Sequence, residues 1–141
     1  MKVFLDTNIV VDVVTQREPQ SKSSSALLTL AEKGVIDGFV SAITFNNLYY
    51  IARKEVGAAK AMQAIAVLRD ICKVVALDGK IIGKAIDSGI ADFEDAIQFF
   101  SAMQIQADYL VTRNPRHFPQ DYVPVMTPEA LLTIGQITGD T

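Results

Sequence analysis

Cysteine and histidine are almost missing from this sequence: Cys72 and His117 are the single representatives of each among 141 residues. One cysteine excludes a disulfide within the chain, and a lone thiol reads first as a small buried hydrophobe. One cysteine and one histidine also exclude the usual thiolate and imidazole sets that hold zinc. Long apolar runs are missing too. None approaches the ~20 residues needed to cross a bilayer, and the short apolar stretch between Lys2 and Asp6 is too brief for a secretory signal. A cytoplasmic protein without membrane attachment is the expectation. Positive charge is in short supply, with 13 Lys and Arg against 16 Asp and Glu, a net charge of −3 and a pI near 5.0. A strongly basic nucleic-acid binder is thereby excluded, so any contact with RNA or DNA would rest on a local basic patch or a metal ion. No internal repeat, long linker or low-complexity block interrupts the chain.

What is present is apolar residue in quantity, 50% of the chain, enough for one domain with a real core. The expected domain spans residues 1–135, followed by a frayed tail over 136–141. Apolar runs at Val3–Leu5, Val35–Val40, Val74–Leu77 and Tyr109–Val111 read as buried strands. Val123–Met126 reads as an edge strand, because Pro124 removes a donor. Between them lie helical stretches. The first runs from Ile9 to Val14. The second begins after a turn through Pro19 and the serines 23–25, carries Ala26, Leu27, Leu30 and Ala31, and closes at Gly34. Ser41 opens a third, with Thr44, Asn47, Leu48 and Ile51 on one face, and Gly57 breaks it. Further helices carry Ala61, Ala64, Ile65, Leu68 and Ile71, then Ile81, Ile82, Ala85 and Ile86 behind an Asp78 cap, ending at Gly89. Asp92, Asp95, Ala96, Phe99 and Met103 share the face of the next. Thr127 caps a last helix with Pro128 at its first position, ended by Gly135. Strands alternating with helices define an α/β protein with a parallel sheet covered on both faces. Periodicity does not disclose the strand order.

The first strand ends in Asp6-Thr7-Asn8 and the fourth in Thr112-Arg113-Asn114. In a parallel sheet both corners lie on the carboxyl edge, where ligands of open α/β sheets bind. Helices leading into the next strand start at that same edge, so Asn47, Asp92 and Asp95 converge there with Asp6 and Asn114. Clustered carboxylates resist joint ionisation. A hard divalent cation, Mg²⁺ or Mn²⁺, removes that penalty, and such ions activate water and stabilise charge on a phosphodiester. Structural readings compete at each position. Asp6 is a good N-cap residue, Asp92 with Asp95 resembles a capping box, Asn114 suits a turn before Pro115, Asn47 suits a buried amide bonded to backbone, and His117 suits an ordinary loop. Arg113 and Arg116 flank the cleft and are placed either to meet phosphate or to face solvent.

The segments VFLDTNIVVD, SAITFNNLYYIARK, DFEDAIQFFSA and DYLVTRNPRHF, in this order and spacing, resemble the PIN domain, the nuclease fold of VapC-type toxins. The resemblance runs from Lys2 to about Ile134. It implies a three-layer α/β/α sandwich around a central, mostly parallel sheet, and metal-dependent hydrolysis of RNA. It implies that Asp6 and Asp95 are the metal ligands, with Asp92, Asn47 and Asn114 completing the catalytic set. Thr7 and Thr112 then match small hydroxyl positions beside the cleft. It implies a homodimer and a cognate antitoxin as partners. One departure is plain: Asn47 stands where most members carry Glu, which subtracts a charge from the site. His117 likewise stands where an Asp before Phe is common.

Three functions compete at this stage. The first is a Mg²⁺- or Mn²⁺-dependent endoribonuclease, the toxin of a toxin–antitoxin pair. The second is a non-catalytic module that binds RNA or protein and has a degraded metal site. The third is a phosphoryl-transfer protein built on Asp6 or Asp78, for which Asn8 is the wrong residue two positions after the nucleophile.

Overall fold

The computed structural model describes residues 1–134. Five parallel strands, β1 (Lys2–Leu5), β2 (Asp37–Ser41), β3 (Lys73–Val75), β4 (Tyr109–Val111) and β5 (Val125–Met126), form one sheet in the order β3-β2-β1-β4-β5. Pairs of helices connect the first four strands: α1 (Thr7–Val14) and α2 (Gln20–Glu32), α3 (Ala42–Val56) and α4 (Ala58–Ile71), α5 (Gly79–Asp87) and α6 (Phe93–Gln104). A single 3₁₀ turn, Pro115–His117, lies between β4 and β5, and α7 (Pro128–Leu132) follows β5.

Alternation along β1 divides the interior. Val3 and Leu5 face a core with residues of α1, α2, α3, α4 and α7. Phe4 points the other way, into a core supplied by α5 and α6 and closed by Phe118 and Val123. This is the expected three-layer α/β/α sandwich. Gly38 on β2 is demanded by close approach: a Cβ there would lie 3.0 Å from Cys72 Sγ and 3.1 Å from Ala31 Cβ.

The helix boundaries follow the chemistry at their ends. Ser41, Asp78, Asp92 and Thr127 each accept a backbone N–H in the first turn of their helix. Gly57 and Gly89 take positive φ where helices stop. Several expectations need correction. α2 begins at Gln20, so the serines lie inside the helix rather than in a turn; Ser24 packs there at 1% exposure, and small side chains let α2 approach its neighbours. β3 is an edge strand, which leaves Val74 half exposed instead of buried. Ile86 and Ile51 face solvent or the cleft rather than the core, which is served by Ile81 and Ala85 on α5 and by Thr44, Leu48 and Ala52 on α3. The Gly135 stop and the tail over 136–141 lie outside the described residues. Among the described residues, no helix is long and apolar enough to cross a membrane.

Candidate active site

Parallel pairing of β1 with β4 sets Leu5 beside Val111, so the residues that follow, Asp6 and Thr112, meet at the carboxyl edge of the sheet. The Asp6 backbone N–H donates to Val111 O at 2.9 Å, which extends the pairing one residue past the strand. Asp6 occupies the N-cap position of α1, its backbone carbonyl accepting the Ile9 N–H at 3.1 Å, but its side chain makes no capping hydrogen bond among the described residues. Its carboxylate instead receives Thr112 Oγ1 at 2.8 Å and Asn8 Nδ2 at 3.2 Å, both on Oδ2. Asp6 is thus the N-cap of α1 by position, while its carboxylate is engaged by Thr112 and Asn8.

Asp6 is 4% exposed. Burial pushes its carboxyl up to about 6; the Thr112 hydrogen bond pulls it down and the charge of Asp95 adds to the rise. Asp95 is raised in turn, by burial first and then by the charge of Asp92, against the opposing influence of His117. His117 Nδ1 stands 3.6 Å from Asp95 Oδ2. Asp92 caps α6 by accepting the Asp95 backbone N–H at 2.9 Å, so it orients the first turn that carries Asp95. Asp92 is thus an N-cap through that oxygen, the first half of the expected capping box, and the residue still borders the cleft.

These groups line an open cleft of about 360 Å³, whose walls include Asp6, Thr7, Asn8, Asp92, Glu94, Asp95, Arg17, Arg113 and His117. Of the residues expected from sequence, Asp6, Thr7, Asp92, Asp95 and Arg113 come together here. Thr112 stands behind the wall, fully buried and bonded to Asp6. Asn47 and Asn114 are not cleft-lining residues: Asn47 lies one turn before Ile51, which does line it, and Asn114 is exposed, its backbone N–H donating to Thr112 Oγ1 at 3.2 Å. Arg116 is exposed and also outside the lining. Asp78, the alternative phosphoryl acceptor, has its carboxylate on the Ile81 N–H and is away from the cleft. Cys72 is buried with its thiol pushed up to about 12 by desolvation, which leaves it unreactive.

Four contributors were not read from the sequence. Glu94 adds a further acid to the rim. Gln98, fully buried on α6 one turn past Asp95, donates to Thr7 Oγ1 at 2.9 Å, and Thr7 in turn shares a 2.8 Å hydrogen bond with Thr44. Arg17 lines the cleft from the connection after α1. Asp12 holds Arg113, with Nη1 at 2.7 and 3.0 Å from its two carboxylate oxygens. A signal for the last existed in IVVDVV, since an acid inside an apolar helical run needs a buried partner.

The donors suit a hard cation that keeps most of its water. Among the described residues, no group of three or more Asp, Glu, His or Cys is gathered closely enough to cage an ion. Two carboxylates of raised pKa, Asp6 buried and lifted in part by the charge of Asp95, match the way Mg²⁺ is usually held by one or two carboxylates plus substrate phosphate.

A family model described as PIN domain matches residues 2–116. Ribonuclease VapC1 of Aquifex aeolicus (strain VF5) is 26% identical over 133 residues, covering 91% of each chain. Among solved structures, the fold resembles that of VapBC2 from Rickettsia felis bound to a DNA fragment of its promoter, with a TM-score of 0.66 at 19% identity, covering 89% of this chain and 97% of that one. It also resembles VapBC-1 from nontypeable Haemophilus influenzae, with a TM-score of 0.65 at 19% identity over 92% and 99% of the two chains. A third is Mycobacterium tuberculosis VapC20, a toxin that cleaves the sarcin-ricin loop, with a TM-score of 0.63 at 16% identity over 85% and 92%. With the model matched across most of its length and an acid pair at the carboxyl edge of a five-stranded parallel sheet, the chain belongs to the PIN domain family.

Proposed function

We propose that this protein is a Mg²⁺- or Mn²⁺-dependent endoribonuclease and the toxin of a toxin–antitoxin pair. The observation that carries the reading is the buried Asp6 in one open cleft with Asp95, whose charge raises the Asp6 carboxyl and whose cost a divalent cation would relieve. The ribonuclease relative, aligned along 91% of the chain, supports the substrate class. Asp6 and Asp95 would hold the ion. When bound, it would supply an activated water and offset the charge on the phosphodiester. The chain's own residues prepare the site. Thr112 and Asn8 fix Asp6 Oδ2 and so hold the carboxylate in one orientation at the cleft. Asp92 sets the first turn of α6, and Gln98 with Thr44 holds Thr7 at the wall. Hydrolysis would leave a 5′-phosphate and a 3′-hydroxyl.

VapBC structures among the relatives support an antitoxin as partner, and a homodimer is proposed with it. The test is cleavage of single-stranded RNA with and without Mn²⁺, using the intact chain, Asp6→Asn and Asp95→Asn. Metal-dependent cutting abolished by either substitution is the expected result; cutting that survives both, or none in Mn²⁺, overturns it. Asn47, an amide where most members carry Glu and outside the cleft lining, favours the competing reading of a non-catalytic module. Titration calorimetry with Mn²⁺ separates the two, since that reading predicts no heat dependent on Asp6.

A further inference from the structure

We infer that Arg17 and Arg113, both organised by the buried Asp12, form a subsite that grips a phosphate of the RNA strand, with Asp12 as its positioning residue. This rests on the ribonuclease reading. Asp12 has no exposed side-chain surface, whereas the side chains of Arg113 and Arg17 are 31% and 45% exposed. A pair formed only to stabilise the fold would not need to leave both cations at a cleft wall. α1 holds Arg113 at two points one turn apart: Asp12 takes the guanidinium at 2.7 and 3.0 Å, and Asn8 Oδ1 accepts the backbone N–H at 3.3 Å. Arg17 is held similarly, its backbone N–H donating to Asp12 O at 2.9 Å while Nη1 stands 3.9 Å from Asp12 Oδ1. Its second partner, Glu55 at the end of α3, is 3.7 Å away and half exposed.

Much of the donor capacity on this wall is therefore unspent. Among the described residues, only Nη1 of Arg113 meets a side-chain acceptor, and both side-chain contacts of Arg17 are longer than hydrogen bonds. Asp92, Glu94 and Asp95 line the same cleft and repel a polyanion. A strand reaching the acid pair needs cationic donors beside it, and a fixed guanidinium fork matches phosphate oxygens better than any other side chain.

The test pairs fluorescence anisotropy on a labelled single-stranded RNA 12-mer in EDTA with steady-state cleavage in Mn²⁺, both across a salt series. Arg17→Gln is expected to weaken binding and raise KM about tenfold, with kcat retained and the salt slope reduced by about 0.7. Asp12→Asn is the sharper probe because it removes a negative charge from the site: simple electrostatics predicts tighter RNA, and a positioning role predicts weaker. If circular dichroism shows Asp12→Asn unfolded, the exposed Arg17 carries the test alone. A chain that cuts RNA normally after Arg17→Gln, or binds more tightly after Asp12→Asn, overturns the subsite and spares the nuclease. Arginine-dependent RNA binding without Mn²⁺-dependent cutting overturns the nuclease and spares the subsite, and neither binding nor cutting overturns both.

Discussion

Thr112 Oγ1 stands 2.8 Å from Asp6 Oδ2, joining the residues that follow two adjacent parallel strands. This one hydrogen bond links the sheet register to the ionisation of the acid, since it opposes the rise that burial imposes. Thr112→Val keeps the shape and deletes the donor. The Asp6 carboxyl should then titrate above its present value of about 6. Because the lost bond favours the ionised form, the stability deficit should be larger at pH 7.5 than at pH 5, by about 1–2 kcal/mol. Side-chain carboxyl NMR and denaturant unfolding at the two pH values check this, and Thr112→Ser should restore both.

Asp6 itself should destabilise the metal-free protein at neutral pH. Its folded pKa of about 6 lies above the ordinary 3.8. The folded state therefore binds the proton more tightly, and the associated stability is fully present below pH 3.8 and lost as pH rises through 6. The swing is on the order of 3 kcal/mol. Asp6→Asn should unfold at higher temperature than the unaltered chain in EDTA at pH 7.5, and the two should converge in acid. Added Mn²⁺ should reverse the order at neutral pH by stabilising only the chain that keeps Asp6. Thermal unfolding across pH, with and without Mn²⁺, measures each arm.

Protons and the cation should compete for the same oxygens. Asp6 and Asp95 are both raised, so Mn²⁺ affinity should climb steeply as pH approaches 6 from below and flatten above the higher of the two transitions. Calorimetric titration at pH 5, 6, 7 and 8 tests the sign. An affinity independent of pH over that range would mean that neither carboxyl is a ligand.

The caps and turning points of this fold are local chemistry, which is why Ser41, Asp78, Asp92, Thr127, Gly57 and Gly89 are legible from residue type and position. The convergence of Asp6, Asp92 and Asp95 is legible too, because parallel strands send their following residues to one edge. Strand order is not local. β3 has the same apolar run that a central strand would have, and only the pairing reveals it as an edge with Val74 exposed. Contacts such as Asp12 with Arg113 join residues far apart in the chain through side-chain reach, and no periodicity encodes them. Asn47 shows the limit of face assignments: it shares a helical row with Thr44 and Ile51, yet Thr44 is buried and Ile51 lines the cleft.

Gly38 offers a test of packing away from the site. A Cβ at this position would meet Cys72 Sγ at 3.0 Å and Ala31 Cβ at 3.1 Å. Gly38→Ala should cost about 1–3 kcal/mol through overpacking, with Cys72→Ala recovering part of the loss in the double variant. Denaturant midpoints of the two single variants and the pair give the coupling, and purely additive effects would show that Cys72 is not the obstacle.

Gln98 separates a structural from a polar role behind the cleft. It is fully buried, its Nε2 donates to Thr7 Oγ1 at 2.9 Å, and its Oε1 has no hydrogen-bond partner among the described residues. Gln98→Met removes the donor and the orphan acceptor together, while Thr7 and Thr44 keep their mutual 2.8 Å bond. The two losses nearly cancel, so stability should change by less than about 1 kcal/mol. Gln98→Glu instead places a carboxylate one turn from Asp95, without surface exposure and without a cation. That variant should lose several kcal/mol at pH 7.5 and recover in acid as the new group takes a proton. Chemical denaturation of both variants at pH 5 and 7.5 decides the matter, and a Met variant as damaged as the Glu variant would make the Gln98–Thr7 hydrogen bond itself the support of the cleft wall.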